Sequence, residues 1–285
     1  MVTPVHARFL RGSQIDPMID MDKLRRKAVT EIEAIRLCFP DVRSEQIQIC
    51  MGAWMSTLCA VDDILEEMDP PAAKVVLRQS IEIVLGQKET DHQVYQTPTE
   101  NQVAFIMAKF RNHCSHYLAV PVAEDYRQGR GLQNDLHTYL QIRTHTIGIA
   151  PLFALVRHLY CPENLRQAVF FDLQRAVSLA AGLQNDLIGL EKDLHNHESM
   201  NAVAVALRGM GKDASDQAAL REATCSVLRI HNQCSKRIFM MLEGWNMMGS
   251  SGITNEVLCG QVIAAFAESH MKWCSSSERY QLTID

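Results

Sequence analysis

The sequence predicts an all-α protein, and three observations lead to that fold class. Apolar residues recur at intervals of three and four over most of the 285 residues. No alternating run of Val, Ile and Thr is bounded by turn residues, as a strand would be. Proline and glycine are spread evenly, without a fixed repeat or a linker. We therefore predict one helical domain of about ten helices over residues 20–285, after a loose arm over residues 1–19.

The helices are placed by their caps and by their breaks. A helical pattern over 21–39 stops before Pro40, and the next begins at Ser44, a favourable N-cap. That second pattern carries a buried stripe that includes Cys50 and Trp54, and it ends before Pro70. Further helices are expected at about 71–85, 98–117, 132–147, 149–160, 163–194, 200–208, 215–247 and 254–273.

Composition excludes several classes of protein. The net charge is −5, from 28 basic and 33 acidic residues, and this mild acidic excess does not indicate a protein that binds nucleic acid. The nine cysteines form no CxxC pair, so we expect reduced thiols and a cytoplasmic protein. No apolar run reaches the ~18 residues that are needed to span a bilayer. The first twenty residues lack an apolar signal core, so we expect no secretion. The pattern leaves open a monomer or a homodimer.

The segment "DDILEEMD" is the first candidate site. Asp62 and Glu66 share a helix face, and Asp63 points about 100° away. A solvated helix end is the ordinary interpretation, but acids at a helix C-terminus oppose the macrodipole. Carboxylates held together repel unless a cation lies among them, and Mg²⁺ prefers oxygen ligands. Because the acids continue an otherwise apolar helix, we predict metal ligands at the rim of a cavity.

The segment "NDLIGLEKD" is the second candidate site. On one helix, Asn185, Gly189 and Asp193 fall within roughly 80° of one another, and Lys192 lies beside them. A polar helix end with a Lys–Asp pair is the alternative. This stripe carries oxygen ligands on Asn185 and Asp193, an open position at Gly189 and the positive charge of Lys192. Such a stripe suits a hard divalent metal with an anion bound next to it. Upstream, the same face is small or apolar.

These motifs together resemble those of class I terpene cyclases. The acidic "DDILE" precedes "NDLIGLEKD", and Arg143, followed by Gly148, lies between them. An Arg279–Tyr280 pair stands near the C-terminus. The order and spacing match the family, and the style of both motifs is most similar to microbial, fungal-type sesquiterpene cyclases.

The resemblance implies an isoprenoid-synthase helical bundle around a deep apolar pocket. It implies three Mg²⁺ ions, with Mn²⁺ as a substitute, holding a prenyl diphosphate at the pocket mouth. The expected metal ligands are Asp62, Asp63, Glu66, Asn185 and Asp193. The expected diphosphate ligands are Arg143, Lys192, Arg279 and Tyr280. The expected lining residues are Met55, Cys59, Val177, Ser178 and Ala181.

The implied reaction ionises and cyclises farnesyl diphosphate to a sesquiterpene or sesquiterpene alcohol, and it releases diphosphate. Gly189 departs from the family, which has a Ser or Thr metal ligand there, and Asp193 replaces the commoner Glu. A chain-elongating prenyl diphosphate synthase is the nearest rival, although its second motif would be led by Asp. A catalytically silent helical scaffold is the other rival, against which both motifs argue.

Overall fold

The computed structural model describes residues 2–13, 20–66, 68, 72, 75–76, 135–161, 168–198, 200–248, 254–277 and 280. Every regular element in these residues is a helix, so the all-α prediction is confirmed. Of the helix predicted at about 71–85, residues 72, 75 and 76 are described and are helical. The rest of that helix and the whole helix predicted at about 98–117 lie outside the described residues. The described helices are α1 (Val2–Ser13), α2 (Met21–Cys38), α3 (Glu45–Glu66), α4 (Leu136–Thr146), α5 (Ala150–Tyr160), α6 (Ala168–Ile188), α7 (Leu190–His195), α8 (Ala202–Gly209), α9 (Gln217–Met248) and α10 (Asn255–Ser276).

The chain divides into two compact units. The first comprises Met1–Arg36 and Pro40–Tyr126, and the second comprises Leu37–Phe39 and Arg127–Asp285. The expectation of one domain over residues 20–285 stays a prediction. Within the described part of the chain, no helix has both the length and the apolar composition needed to cross a membrane.

The N-terminal segment is a packed helix, so the loose arm expected over residues 1–19 is wrong for Val2–Ser13. Helix α1 packs against α3 in the first unit. Its Val2 and Val5 are buried in a cluster with Ile32 and Ile49. Apolar residues spaced three and four apart form the buried face of α1, as in any amphipathic surface helix.

A buried polar cluster also attaches α1 to the rest of the first unit. His6 is fully buried, and its Nε2 lies 2.6 Å from Glu31 Oε2 on α2. The Ser56 hydroxyl on α3 donates to the same carboxylate oxygen. Because a buried carboxylate is costly without hydrogen-bond partners, the contact with His6 favours the docked position of α1.

Helix α3 carries the acidic motif and begins where its cap predicts. The Ile47 N–H lies 3.4 Å from Ser44 Oγ, which confirms Ser44 as the N-cap. Cys50, Met51 and Trp54 are buried, as the predicted stripe requires. The helix thus has an apolar face along its first half and reaches the acidic motif at its C-terminal end.

The second unit is built around α6, which packs against α4, α9 and α10. Its core includes an aromatic cluster, in which the Phe266 ring lies 4.9 Å from Phe39 and 5.4 Å from Phe153 between centroids. Helices α4 and α5 are separated at Gly148, whose φ of +72° is a conformation that glycine adopts readily. The break predicted after Arg143 is therefore confirmed, and it leaves Arg143 in the last turn of α4.

The predicted helix over 163–194 is interrupted at one residue. Helix α6 ends at Ile188 and α7 begins at Leu190, with Gly189 between them at φ −78° and ψ −3°. The Gly189 N–H still donates to Asn185 O at 2.9 Å, and the Asp193 N–H donates to Gly189 O at 2.9 Å. The helical spacing of the motif therefore survives the break, although the prediction of a continuous helix is wrong.

Candidate functional site

The C-terminal segment returns to the second motif. The Tyr280 hydroxyl donates to Asn185 Oδ1 at 2.6 Å. The Tyr280 ring also meets Trp273 edge-on, with 5.7 Å between centroids. The structure therefore brings together Tyr280 and Asn185, two candidate site residues that lie 95 positions apart in the sequence. Arg279 lies outside the described residues.

The carboxylate of Asp193 is held by a residue beyond the motif. Asn201 Nδ2 donates to Asp193 Oδ2 at 2.8 Å, and Asn201 Oδ1 accepts from the Val203 N–H at 2.9 Å. A Cβ placed on Gly189 would lie 3.4 and 3.5 Å from the two Asp193 oxygens. Gly189 and Asp193 therefore do face one another, as the helical spacing predicts.

Arg143 reaches α6 and pairs with Asp186. Arg143 Nη2 lies 2.8 Å from Asp186 Oδ1, and the Asp186 side chain is 1% exposed. The Tyr139 hydroxyl donates to Asp186 Oδ2 at 2.8 Å, and the Ala202 N–H donates to it at 3.1 Å. Burial raises the pKa of the Asp186 carboxyl, while Arg143, Tyr139 and the Ala202 amide oppose that rise.

A glycine makes room for this arginine. A Cβ on Gly182 would lie 2.8 Å from Arg143 Cγ, closer than real Cβ contacts allow. The Arg143 side chain can therefore lie across the surface of α6 between Gly182 and Asp186. Position 182 thereby contributes to the site without any functional group of its own.

One family model decides what kind of protein this is. The model described as "Terpene synthase family 2, C-terminal metal binding" matches residues 53–236. The chain belongs to this terpene synthase family. It is a class I terpene synthase, a lyase that cyclises prenyl diphosphates to terpenes. The matched residues correspond to the metal-binding C-terminal region of that family.

Solved structures share the terpene synthase fold. The structure of linalool/nerolidol synthase from Streptomyces clavuligerus matches with a TM-score of 0.68 at 15% identity, covering 96% of this chain and 95% of that chain. The complex of that enzyme with 2-fluorogeranyl diphosphate matches with a TM-score of 0.65 at 14% identity, covering 96% and 97%. α-Eudesmol synthase matches with a TM-score of 0.57 at 17% identity, covering 97% and 94%. No curated protein sequence matches the chain significantly.

The acidic motif of the terpene synthase lies in the first unit. Asp62 and Asp63 are exposed near the end of α3, while the Glu66 side chain is outside the described part of the structure. Met55 and Cys59 on the same helix are half-buried. Their roles as metal ligands and pocket lining stay predictions.

The remaining predicted residues lie along α6 and α7. Val177 and Ala181 are fully buried and Ser178 is nearly so, which fits either a pocket wall or the helical core. Lys192 is half-buried on α7. Helical spacing places Ser178, Ala181 and Asn185 along one stripe of α6.

The donor set at the junction of α6 and α7 fits a hard cation. Among the described residues, no three His, Cys, Asp and Glu side chains lie close enough together to hold a metal. The motif, however, pairs an amide oxygen on Asn185 with the carboxylate of Asp193. Asn185 Oδ1 keeps a second lone pair beside its bond from Tyr280. Mg²⁺ retains several waters and is commonly shared between one or two protein oxygens and a substrate phosphate, so these two side chains fit the ligand chemistry of such an ion.

Sequence reasoning missed three residues of this site, namely Tyr139, Asp186 and Asn201. Asp186 is the second residue of the motif, but it points about 100° away from the stripe that holds Asn185. Tyr139 precedes Arg143 by one helical turn, which puts both side chains on one face of α4. Asn201 stands directly before the apolar run "AVAVAL", which is an N-cap signal that was available.

Tyr280→Phe is expected to lower turnover about 2–10-fold with an unchanged fold. Phenylalanine keeps the edge contact with Trp273 but loses the hydroxyl bond to Asn185, and a neutral hydrogen bond contributes about 0.5–1.5 kcal/mol. Steady-state kinetics at saturating substrate measures the effect. Tyr160→Phe, at the end of α5, serves as the control for loss of a tyrosine hydroxyl. Equal turnover of the wild type and Tyr280→Phe would mean that the Tyr280 hydroxyl does not contribute to the active site.

A buried network of amide and imidazole groups supports the helix that carries Asn185. Gln184 Nε2 donates to Ala267 O at 2.9 Å and lies 3.2 Å from His231 Nε2. Gln184 Oε1 accepts from His270 Nδ1 at 2.9 Å, and Cys274 Sγ lies 3.5 Å from His270 Nε2. The pattern assigns His270 as the neutral tautomer protonated at Nδ1. Burial, with Arg143 as a lesser cause, lowers the pKa of His270 to about 4.

Acid is expected to destabilise the protein through His270. The ordinary pKa of 6.5 applies in the unfolded chain, which binds a proton as the pH falls below 6.5, whereas the folded chain does so only near pH 4. The contribution of His270 is therefore complete above about pH 6.5 and is lost between pH 6.5 and 4, up to about 3 kcal/mol. Urea unfolding at pH 7.5 and 5.0 should show a smaller loss for His270→Asn than for the wild type. The exposed His137→Asn should behave as the wild type does, and an equal loss in all three proteins would contradict the prediction.

Proposed function

We propose that the protein binds farnesyl diphosphate with Mg²⁺ and converts it to a sesquiterpene or a sesquiterpene alcohol, with release of diphosphate. The observation that supports this best is the grouping at the junction of α6 and α7. Asn185 and Asp193 supply oxygen ligands there, and Tyr280 and Arg143 reach the same segment from elsewhere in the chain. Oxygen donors beside a cation suit a metal–diphosphate group.

The chain's own residues would divide the work between ionisation and exclusion of water. Asp62, with Asp63 and Glu66, and Asn185 with Asp193 would hold three Mg²⁺ ions. When bound, the metal stabilises the negative charge that develops on the departing diphosphate. Donors for the diphosphate oxygens would be Arg143, Lys192, Arg279 and Tyr280, whose one hydroxyl proton would then turn from Asn185 to the diphosphate. A planar guanidinium matches phosphate oxygens better than an ammonium does.

The lining residues would shape and shield the allylic cation. Val177 and Ala181 carry only hydrocarbon side chains, Met55 and Cys59 add polarizable sulfur atoms, and Ser178 adds one small hydroxyl. An apolar contour that excludes water prevents early quenching of a reactive intermediate. Whether a sesquiterpene or its alcohol is released would then depend on a water molecule admitted to this contour.

Product analysis with three substrates tests the chain length. Purified protein is incubated with Mg²⁺ and a ten-, fifteen- or twenty-carbon diphosphate, and extracts are analysed by gas chromatography. The fifteen-carbon substrate should give the highest kcat/KM. One structural neighbour is named linalool/nerolidol synthase and was solved with 2-fluorogeranyl diphosphate, so the ten-carbon substrate is the alternative to compare. Higher kcat/KM with either of the other substrates would overturn the proposed chain length.

Isopentenyl diphosphate separates cyclisation from chain elongation. Elongation consumes an allylic diphosphate only when isopentenyl diphosphate is also present, whereas cyclisation needs the allylic substrate alone. Hydrocarbon or alcohol products should therefore form without isopentenyl diphosphate. Formation of longer diphosphates only when both substrates are present would favour a chain-elongating enzyme. Failure to bind diphosphate either with or without Mg²⁺ would favour a silent scaffold. We also propose a cytoplasmic monomer or homodimer.

A further inference from the structure

Asn201 uses every polar group of its side chain at the edge of the candidate site. It is fully buried at the N-terminus of α8. Its Oδ1 accepts from the Val203 N–H at 2.9 Å. Its Nδ2 donates to Asp186 O at 2.7 Å and to Asp193 Oδ2 at 2.8 Å. One side chain thus connects α8, α6 and α7.

Capping alone does not account for an asparagine here. An N-cap needs only a side-chain oxygen, which Ser, Thr and Asp supply as well. Among these four, only asparagine adds two N–H donors. Both donors of Asn201 are used on groups outside its own helix, and one of them holds a carboxylate oxygen of Asp193.

Helix α7 needs an external restraint to hold Asp193 in place. It has only six residues, and so short a helix is marginal without tertiary contacts. The chain then reverses at His197, whose φ is +57°, and this turn brings Asn201 back to the end of α6. The bond from Asn201 leaves Asp193 Oδ1 and the remaining lone pairs open beside Gly189.

We propose that Asn201 is a positioning residue for the metal site, holding the Asp193 carboxylate in the orientation that binds the cation. This inference rests on the proposed function, because it takes Asp193 to be a metal ligand. Carboxylates that bind metals are commonly fixed by a further hydrogen bond, and loss of such a partner weakens metal binding about 10–100-fold. A purely structural role for Asn201 would affect melting temperature but not the metal affinity of the folded protein.

The test measures metal binding directly. Mn²⁺ binding in the presence of inorganic diphosphate is followed by electron paramagnetic resonance for the wild type and for Asn201→Ser. Serine keeps a capping oxygen for α8 but has no amide to reach Asp193. We expect about 10–100-fold weaker Mn²⁺ binding at a temperature where both proteins are folded. Thr254→Ala, which loses the N-cap of α10 instead, is the control and should bind Mn²⁺ as the wild type does.

A second pair of variants shows whether Asn201 acts through Asp193. Asp193→Ala should weaken Mn²⁺ binding, and adding Asn201→Ser to it should cause no further loss, because coupled residues are not additive. Additive losses would overturn the positioning role. Wild-type affinity in Asn201→Ser would overturn it too, while a weakened Asp193→Ala would leave the proposed metal site standing. Unchanged binding in Asp193→Ala would instead count against the proposed metal site.

An isosteric variant covers the case in which Asn201→Ser does not fold. Asn201→Asp keeps the size and the capping oxygen, but it replaces the donor facing Asp193 with a carboxylate oxygen. Like charges at hydrogen-bond distance repel, so Asp193 should leave its present orientation and Mn²⁺ binding should again weaken at least tenfold. Equal or tighter Mn²⁺ binding by Asn201→Asp would contradict positioning by hydrogen bonding.

Discussion

Asp62→Asn is expected to lower turnover about 100-fold or more at saturating Mg²⁺. The variant removes a negative charge from the residue proposed as the main ligand of the acidic motif. A metal ion that stabilises developing charge contributes several kcal/mol, and each 1.36 kcal/mol corresponds to a factor of about ten in rate. An amide still offers an oxygen, but it binds Mg²⁺ without a formal charge. The loss should therefore appear in kcat and should not be recovered by more metal.

The same variant should leave the stability of the protein almost unchanged. Asp62 is exposed near the C-terminal end of α3. Substitutions at exposed positions usually change stability by about 0.5 kcal/mol or less. Removing an acid from a helix C-terminus also relieves a small unfavourable interaction with the macrodipole. The melting temperature should consequently stay within about 2 °C of the wild type.

A charge-loss control makes the Asp62 experiment decisive. Asp172→Asn removes an exposed carboxylate from α6, outside the proposed site, and should keep wild-type kinetics. Turnover of all three proteins is measured by product formation across a Mg²⁺ series, together with thermal unfolding. Near wild-type turnover of Asp62→Asn at saturating Mg²⁺ would exclude Asp62 as a metal ligand.

Most of the helices could be predicted because their evidence is local. Apolar spacing, Ser44 as a cap and Gly148 as a break are all read within one turn of the chain, and the structure agrees at each. Helix α1 was missed for the opposite reason. Its buried face is completed by Ile32 and Ile49, which are distant in sequence. The first residues, considered alone, lack an apolar signal core and therefore predict only a loose arm.

The candidate site follows the same division between local and tertiary information. Asn185 and Asp193 are one stripe of a helix, so their spacing could identify them. Asn201 and Asp186 could not be found in this way, because Asn201, which bonds to Asp193, follows the turn at His197, and Asp186, which pairs with Arg143, lies off the stripe. The break at Gly189 could not be predicted from the glycine either, since its backbone angles are open to any residue and do not require glycine.

Gly189 is a position where the size of the side chain should decide whether the site works. Glycine within a helical segment costs about 0.5–1 kcal/mol relative to alanine, so Gly189→Ser should gain stability from the backbone. A Cβ there would, however, lie 3.0 Å from Asn185 O, which requires the neighbour to shift by a few tenths of an ångström. The two effects oppose one another. The melting temperature of Gly189→Ser should therefore stay within about 2 °C of the wild type.

Serine at position 189 should maintain or improve metal affinity. Its hydroxyl would project beside the Asp193 carboxylate, where the family resemblance places a metal ligand and where a water can fill the gap above glycine. The Mg²⁺ concentration at half-maximal activity should be equal to or lower than that of the wild type. The product distribution can change as well, because the ion and the diphosphate set the starting position of the substrate.

Gly189→Leu should abolish detectable cyclisation while leaving the helices intact. Its backbone angles of −78° and −3° are open to leucine, so circular dichroism should show wild-type helix content. The branched side chain would fill the space within 3.5 Å of both Asp193 oxygens, excluding water and displacing the carboxylate from Asn201. Product formation is measured against Mg²⁺ concentration, with Gly244→Leu on α9 as the control, because a Cβ there meets no atom within 4 Å. Normal cyclisation by Gly189→Leu would mean that position 189 does not face the metal, and the assignment of Asn185 and Asp193 as its ligands would fall with it.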